Sequence, residues 1–315
     1  IFLKPFITAL SLSSQESISP FFFELAPCPG KSIKCDFIPK LSNQSAFILC
    51  LPLCSNKPCS NKTSVFPNFS LFSIKLILMN IDYVKTPFTN NPSMIRLEGS
   101  AFTQNPNKKY LDEKQRQMDL LGGKLLGETE ISKKENLIEK FINFCNLDNN
   151  LSLRELTTKF EEDFALMYKG KMEIVSVCFP SGWVPKEKLG KNLSDIHEPI
   201  ADSEQLIKAS DKLTDYMTKQ SIKRWVWTIT TSKQLSNFPD YEKPELSTFE
   251  KLYFRVETQT TAPVDDHTSL FFIKVDVLPL SQVWDKKILD SINSMSENVL
   301  KYKGLKQIKE LLNKV

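Results

Sequence analysis

Residues 174–199 read IVSVCFPSGWVPKEKLGKNLSDIHEP and carry His197, one of only two histidines in the chain. The opening run, Ile174-Val175-Ser176-Val177-Cys178-Phe179, is apolar and β-branched, which predicts a buried strand. Pro180-Ser181-Gly182 should end that strand, because proline brings no N–H to a ladder and glycine permits a sharp turn. Pro185 suits the first turn of a short helix and Gly190 its C-terminal stop. Asp195-Ile196-His197-Glu198-Pro199 then forms a tight segment held by proline. The run therefore delivers one imidazole at the end of a strand, a turn and a short helix.

Working outward, helices come first. Residues 107–121 suit a helix with Leu111, Met118 and Leu121 inward, ended by Gly122-Gly123. Leu137, Ile138, Phe141 and Ile142 share a helical face, and Ser152 with Glu155 makes a capping box. The helix after that box is expected to turn Leu153, Leu156, Phe160 and Phe164 inward. Beyond the central run, 203–220 is amphipathic, with Asp202 as its N-cap. Strands follow. Trp225, Trp227 and Ile229 alternate with polar neighbours. Arg255, Glu257 and Gln259 alternate with Phe254 and Val256, and Lys274 and Asp276 with Ile273, Val275 and Val277. The last two strands should form an antiparallel hairpin across 261–269. Residues 281–302 are expected to close the domain as one helix, with Ile288, Ile292, Met295 and Val299 inward, before Gly304 and a short terminal helix. Helices, then an antiparallel sheet, then helices argue for an α+β fold.

Composition sets bounds on function. The chain has 315 residues, 41% hydrophobic and 25% charged, ordinary values for a globular protein. A net charge of +4 gives no case for a nucleic-acid partner. No apolar run of about 18 residues exists to span a membrane. Cys145 and Cys178 stand isolated in the later part of the chain, which argues for a reducing, cytoplasmic setting. Residues 1–78 differ: rich in Ser, Phe, Pro, Asn and Cys, with no sustained period. They are expected to be of low order, as translated upstream sequence before a true start at Met79, with 79–315 as the single globular domain. Cys50, Cys54 and Cys59 lack the paired spacing and neighbouring histidine of a zinc site.

With only His197 and His267, no three-histidine metal site is possible, and neither H-E-x-x-H nor G-x-S-x-G occurs. No dinucleotide fingerprint or four-cysteine iron–sulfur run occurs in the globular part. A single axial histidine on haem is among the few metal chemistries this inventory allows. The rival for His197 is a structural imidazole that hydrogen-bonds a loop or caps a helix. Arg255 and Glu257 read on general grounds as the wet face of a half-exposed sheet, ion-paired across strands with Lys274 and Asp276. The functional rival is a polar pocket wall. Cys178 reads as a buried thiol with thiolate ligation as its rival, and Trp183, Trp225 and Trp227 as core aromatics with a haem-lining role as theirs.

Several separated motifs resemble the haem-dependent oxidative N-demethylase alpha-subunit-like family. They are Cys178-Phe179-Pro180-Ser181, Trp183, Glu187-Lys188-Leu189-Gly190 and Ile196-His197-Glu198-Pro199. Upstream, Glu162-Asp163-Phe164-Ala165-Leu166 resembles the family's acidic helix end; downstream, Phe254 to Thr260 resembles its arginine–glutamate strand. The likeness covers 81–302 and implies a PAS-like fold, an antiparallel sheet and helices enclosing haem b. It implies His197 as the iron ligand, Arg255, Trp183 and Trp227 as cofactor contacts, and Glu257 as the catalytic residue orienting an amine. The implied reaction is O2-dependent demethylation of a small secondary amine such as dimethylamine. Electrons would come from NADPH through separate flavin (FMN) and 2Fe–2S reductase subunits. A non-catalytic haem- or ligand-binding PAS-like module is the alternative, and a member that has lost its cofactor a third. Two departures bear on activity: Val226 stands where the family resemblance leads to asparagine, and Thr261-Ala262-Pro263 replaces a more basic run.

Overall fold

The computed structural model describes residues 80–90, 93–148 and 150–314, together with the backbone of four earlier strands. The chain divides into two compact units, Ile1–Met79 and Asn80–Val315. In the first unit β1 (Phe22–Glu24), β2 (Ile33–Ile38), β3 (Ala46–Pro52) and β4 (Ser73–Ile74) pair antiparallel in that order. What was expected of 1–78 otherwise lies outside the described residues.

The second unit is built on one antiparallel sheet. Its strands are β5 (Ile95–Arg96), β6 (Leu126–Glu128), β7 (Asp163–Tyr168), β8 (Lys171–Ser176), β9 (Ile222–Thr230), β10 (Tyr253–Asp265) and β11 (Thr268–Pro279). Their spatial order is β5-β9-β10-β11-β7-β8-β6. Before β7 come α1 (Lys108–Leu121), α2 (Glu130–Lys134), α3 (Leu137–Phe144) and α4 (Leu153–Thr157). Between β8 and β9 come α5 (Leu193–His197) and α6 (Glu204–Met217). After β11 come α7 (Leu280–Val283), α8 (Lys286–Asn293), α9 (Glu297–Lys303) and α10 (Lys306–Leu312). This is an α+β fold. Among the described residues no helix is long and apolar enough to cross a membrane.

The register of the long hairpin decides which side chains share a face. Arg255, Glu257 and Gln259 pair with Val277, Val275 and Ile273 of β11, and with Thr228, Val226 and Arg224 of β9. Thr258 pairs with Lys274 and Trp225, and Val256 with Asp276 and Trp227. Side chains alternate along a strand, so Arg255 and Glu257 lie on the face opposite Lys274 and Asp276. The expected cross-strand ion pairs are therefore absent. Lys274 instead pairs with Glu161 at 2.7 Å, and Asp276 accepts from the Tyr110 hydroxyl at 2.7 Å.

One face carries an aromatic core in which Phe141 of α3 meets Phe160, Phe164 of β7 and Phe272 of β11. Ring centroids of Phe141 and Phe164 stand 4.7 Å apart, edge to face. On the other face Ile273 and Val275 share a core with Leu193 of α5 and Leu206, Leu213 and Met217 of α6.

Three expected boundaries are corrected. Helix α4 stops at Thr157, and Phe164 belongs to β7, whose six residues are all buried. A strand buried on both faces shows no alternation, so the run imitates a helical face. The capping box itself is present, with Ser152 and Glu155 bonding each other's backbone N–H. The closing helix is three helices, because Asp285 and Ser296 accept from the N–H groups of Lys287 and Val299 and start new ones. Ile288, Ile292, Met295 and Val299 are buried as expected. Ser203, not Asp202, holds the N-cap position of α6.

Phe141→Ala should destabilise the unit by about 3–5 kcal/mol in urea unfolding, because it opens a cavity among three other rings. Leu120→Ala, at a side chain 60% exposed, should stay within about 0.5 kcal/mol of the parent.

Candidate functional site

Two buried charges hold the turn after β8. Asp163, the first residue of β7, accepts from the Phe179 N–H at 2.7 Å. Lys114 of α1 stands 3.4 Å from the other carboxylate oxygen, and neither side chain of the pair meets solvent. The Lys114 ammonium also donates to the carbonyls of Thr157 and Glu162. Burial pushes the Asp163 carboxyl upward against the opposing pull of Lys114 and the N–H groups of Cys178 and Phe179. The second charge is Arg255, 1% exposed. Its guanidinium donates to Phe179 O (2.8 Å), to Leu235 O and to Ser181 Oγ (2.9 Å). Gly182 N–H to Asn237 O and Asn237 N–H to Pro180 O, each 2.9 Å, complete the clamp on the turn.

Past this turn Pro185 opens a 3-10 helix, Pro185–Lys188. Reciprocal backbone bonds between Met172 and the Gly190-Lys191 pair return the chain to β8. Asn192 then caps α5, accepting from the Asp195 N–H at 2.9 Å. His197 is the last residue of that helix, and its Nδ1 lies 2.7 Å from Leu193 O. A carbonyl only accepts, so Nδ1 carries the hydrogen and Nε2 keeps its lone pair. Burial, with smaller contributions from the positive charges of Arg224 and Lys188, lowers the His197 pKa to about 4. The Leu193 bond opposes that shift. At neutral pH this is an uncharged imidazole whose Nε2 has no hydrogen-bond partner among the described residues.

His197 feels the charge of Arg224 on β9, and β9 pairs with β10. Arg224 and Glu257 lie on the same sheet face, in diagonal register. Arg224 Nε is buried and finds no hydrogen-bond partner among the described residues. Glu257 accepts from Ser181 Oγ through one carboxylate oxygen and from Gln259 Nε2, at 3.0 Å, through the other. Its charge is felt by Arg224, Arg255 and Lys303, yet none of the three closes into an ion pair with it. Lys303, the last residue of α9, donates to Trp227 O at 2.9 Å.

Arg224 is thus linked electrostatically both to His197 and to Glu257, and Arg255 feels the same Glu257 charge. Trp183 is half-buried against the apolar core of that same face. Trp227 points to the opposite face, stacked on Phe254 with centroids 5.6 Å apart. Cys178 is fully buried, and burial holds its thiol well above the usual range, which suits an inert core residue. His267 sits exposed in the hairpin turn. Sequence reading did not single out Arg224 or Lys303 as candidate site residues, and it named Ser181 only within a motif. The alternation of Arg224 with Trp225 and Trp227 was the available signal, since it places the guanidinium on the face of Glu257.

A cavity of about 220 Å³ lies between Arg116, Gln234 and Asp240, and one of about 470 Å³ between Glu128, Lys133 and Glu139. Neither contains His197. Among the described residues no group of three or more His, Cys, Asp or Glu is placed to hold a metal ion. One imidazole suffices for a haem iron. The donor set fits that group: a neutral histidine and a half-buried arginine, with His197 Nε2 and the buried Arg224 Nε both without a hydrogen-bond partner among the described residues.

Lys303 supplies a pH test. Burial lowers its pKa from 10.5 to about 8, opposed by Glu257 and aided by Arg224. The unfolded chain therefore holds more protons than the folded one between those values, and stability rises with pH across that window. Lys303→Met should remove that rise. The stability difference, wild type minus variant, should grow in favour of wild type from about pH 8 to about pH 10 in urea titrations.

Residues 123–313, well over half of the chain, match the family described as haem-dependent oxidative N-demethylase, alpha subunit-like. No curated protein and no solved structure matches the chain. The matched span includes the clamped turn, His197, Arg224, Arg255 and Glu257. The chain belongs to the haem-dependent oxidative N-demethylase alpha-subunit-like family.

Proposed function

We propose that this chain is the haem-binding subunit of an O2-dependent oxidative N-demethylase acting on a small secondary amine of the dimethylamine type. The observation that carries the reading is the state of His197: neutral, Nδ1 tied to Leu193 O, Nε2 without a hydrogen-bond partner among the described residues, and within reach of the Arg224 charge. His197 Nε2 is the ligand for the iron of haem b. When bound, the haem supplies O2 activation and oxidation of the N-methyl carbon, which leaves methylamine and formaldehyde. Arg224, with a vacant donor, is suited to a propionate. Arg255 already donates to three protein oxygens and supports the wall the cofactor rests on. Glu257 receives the dialkylammonium through a charge-assisted hydrogen bond and so orients the methyl group. Trp183 flanks the cofactor, and Trp227 backs the wall from the other face.

The sheet with its covering helices takes the PAS-like role of enclosing the cofactor, and 79–315 is the active unit. Electrons come from NADPH through separate FMN and 2Fe–2S reductase subunits, for which this sequence carries no binding motif. The free thiols Cys145 and Cys178 suit a cytoplasmic setting.

A second reading, haem or small-ligand binding without turnover, has one specific observation in its favour. Val226, where the family likeness leads to asparagine, stands directly opposite Glu257 in the β9–β10 register. An apolar neighbour there removes a polar contact from the amine site.

Titration of the full chain with haem should produce a Soret band that His197→Ala abolishes or shifts and His267→Ala leaves unchanged. With a reductase supplied, dimethylamine should yield formaldehyde, and Glu257→Gln should lower kcat/KM by about tenfold or more. A histidine-dependent Soret band without formaldehyde supports the second reading. No such band contradicts both.

A further inference from the structure

The amine reading leaves one hydroxyl unexplained. Ser181 Oγ stands between Arg255 Nε, at 2.9 Å, and a carboxylate oxygen of Glu257. A guanidinium nitrogen only donates, so Ser181 accepts from Arg255. Its single hydrogen is then directed to Glu257. Gln259 Nε2 donates to the other carboxylate oxygen at 3.0 Å. The carboxylate is thereby fixed in rotation by one donor at each oxygen, each oxygen retaining capacity to accept another bond.

The fold does not need this hydroxyl. The turn is held by backbone groups: Phe179 N–H on Asp163, Phe179 O under Arg255, and the paired bonds with Asn237. Arg255 keeps Phe179 O and Leu235 O without Ser181. Ser181 is also exposed, so it stands at the rim and not in the core. We propose that Ser181 is a positioning residue through which Arg255 sets the orientation of the Glu257 carboxylate for a cationic amine; this rests on the amine-binding reading of Glu257. A guanidinium upstream polarises the hydroxyl, and a polarised hydroxyl makes a stronger bond to a carboxylate than a free one.

Calorimetric titration of the full chain, in the presence of haem, with dimethylammonium chloride tests the assignment. Ser181→Ala should weaken binding by about tenfold, the loss of one hydrogen bond to a charged group. Ser181→Thr, which keeps the hydroxyl, should bind within about twofold of wild type. The urea midpoint of Ser181→Ala should stay close to wild type, since the backbone clamp remains. If Ser181→Ala binds like wild type while Glu257→Gln does not bind, the positioning role is overturned and the amine reading stands. Equal weakening by alanine and threonine also overturns it. If Glu257→Gln binds like wild type, the amine reading itself fails and takes this inference with it.

Discussion

The guanidinium of Arg255 must find oxygens where it is buried, and that requirement shapes the site. An unpaired charge in such a place costs several kcal/mol. Here three segments bring oxygens to it: the end of the β8 run at Phe179, the turn at Ser181 and the loop at Leu235. Asp163 takes the N–H of the same Phe179. With both ends of one residue held by buried charges, the chain leaves the sheet in a single direction. The 3-10 helix and α5 that follow carry His197 from that exit. The imidazole's place is therefore inherited from an arginine that local propensity alone could not position: its partners lie 74, 20 and 76 residues away in sequence.

The sheet separates two jobs by the parity of its register. On one face Phe141, Phe160, Phe164 and Phe272 interlock and supply apolar burial. On the other, Ile273 and Val275 pack under α6 while the neighbouring strip of Arg224, Glu257 and Gln259 stays polar and half-buried. A one-residue slip of β10 would exchange these roles, moving Phe254 and Val256 into the polar strip. The thirteen residues of β10, paired along both edges through Tyr253 to Thr260, hold the register against such a slip.

Much of this was legible in the sequence where a local pattern carries it. The alternation in β9, β10 and β11, the Ser152 capping box and the inward residues of α8 and α9 all follow from spacing. What was not legible depends on distant partners. Lys114 looks like a solvated helix lysine, yet it is fully buried because Asp163, Thr157 and Glu162 converge on it. Lys274 and Asp276 looked like cross-strand partners of Arg255 and Glu257, because alternation within each strand says nothing of which face meets which until the register is known. Phe164 read as helical because β7 is buried on both sides. His197, Glu257 and Ser181 lie within the family motifs, whereas Arg224 and Lys303 come into view only from what stands beside them in space.

The account stands on the protonation of one ring, and nitrogen-15 NMR of the histidine side chains reads it directly. The chain has only two histidines, and His267→Asn leaves one set of signals. At neutral pH and without haem, the remaining imidazole should show the neutral pattern with hydrogen on Nδ1 and an unprotonated Nε2. A hydrogen on Nε2, or a doubly protonated ring at neutral pH, would contradict the geometry from which the function was argued.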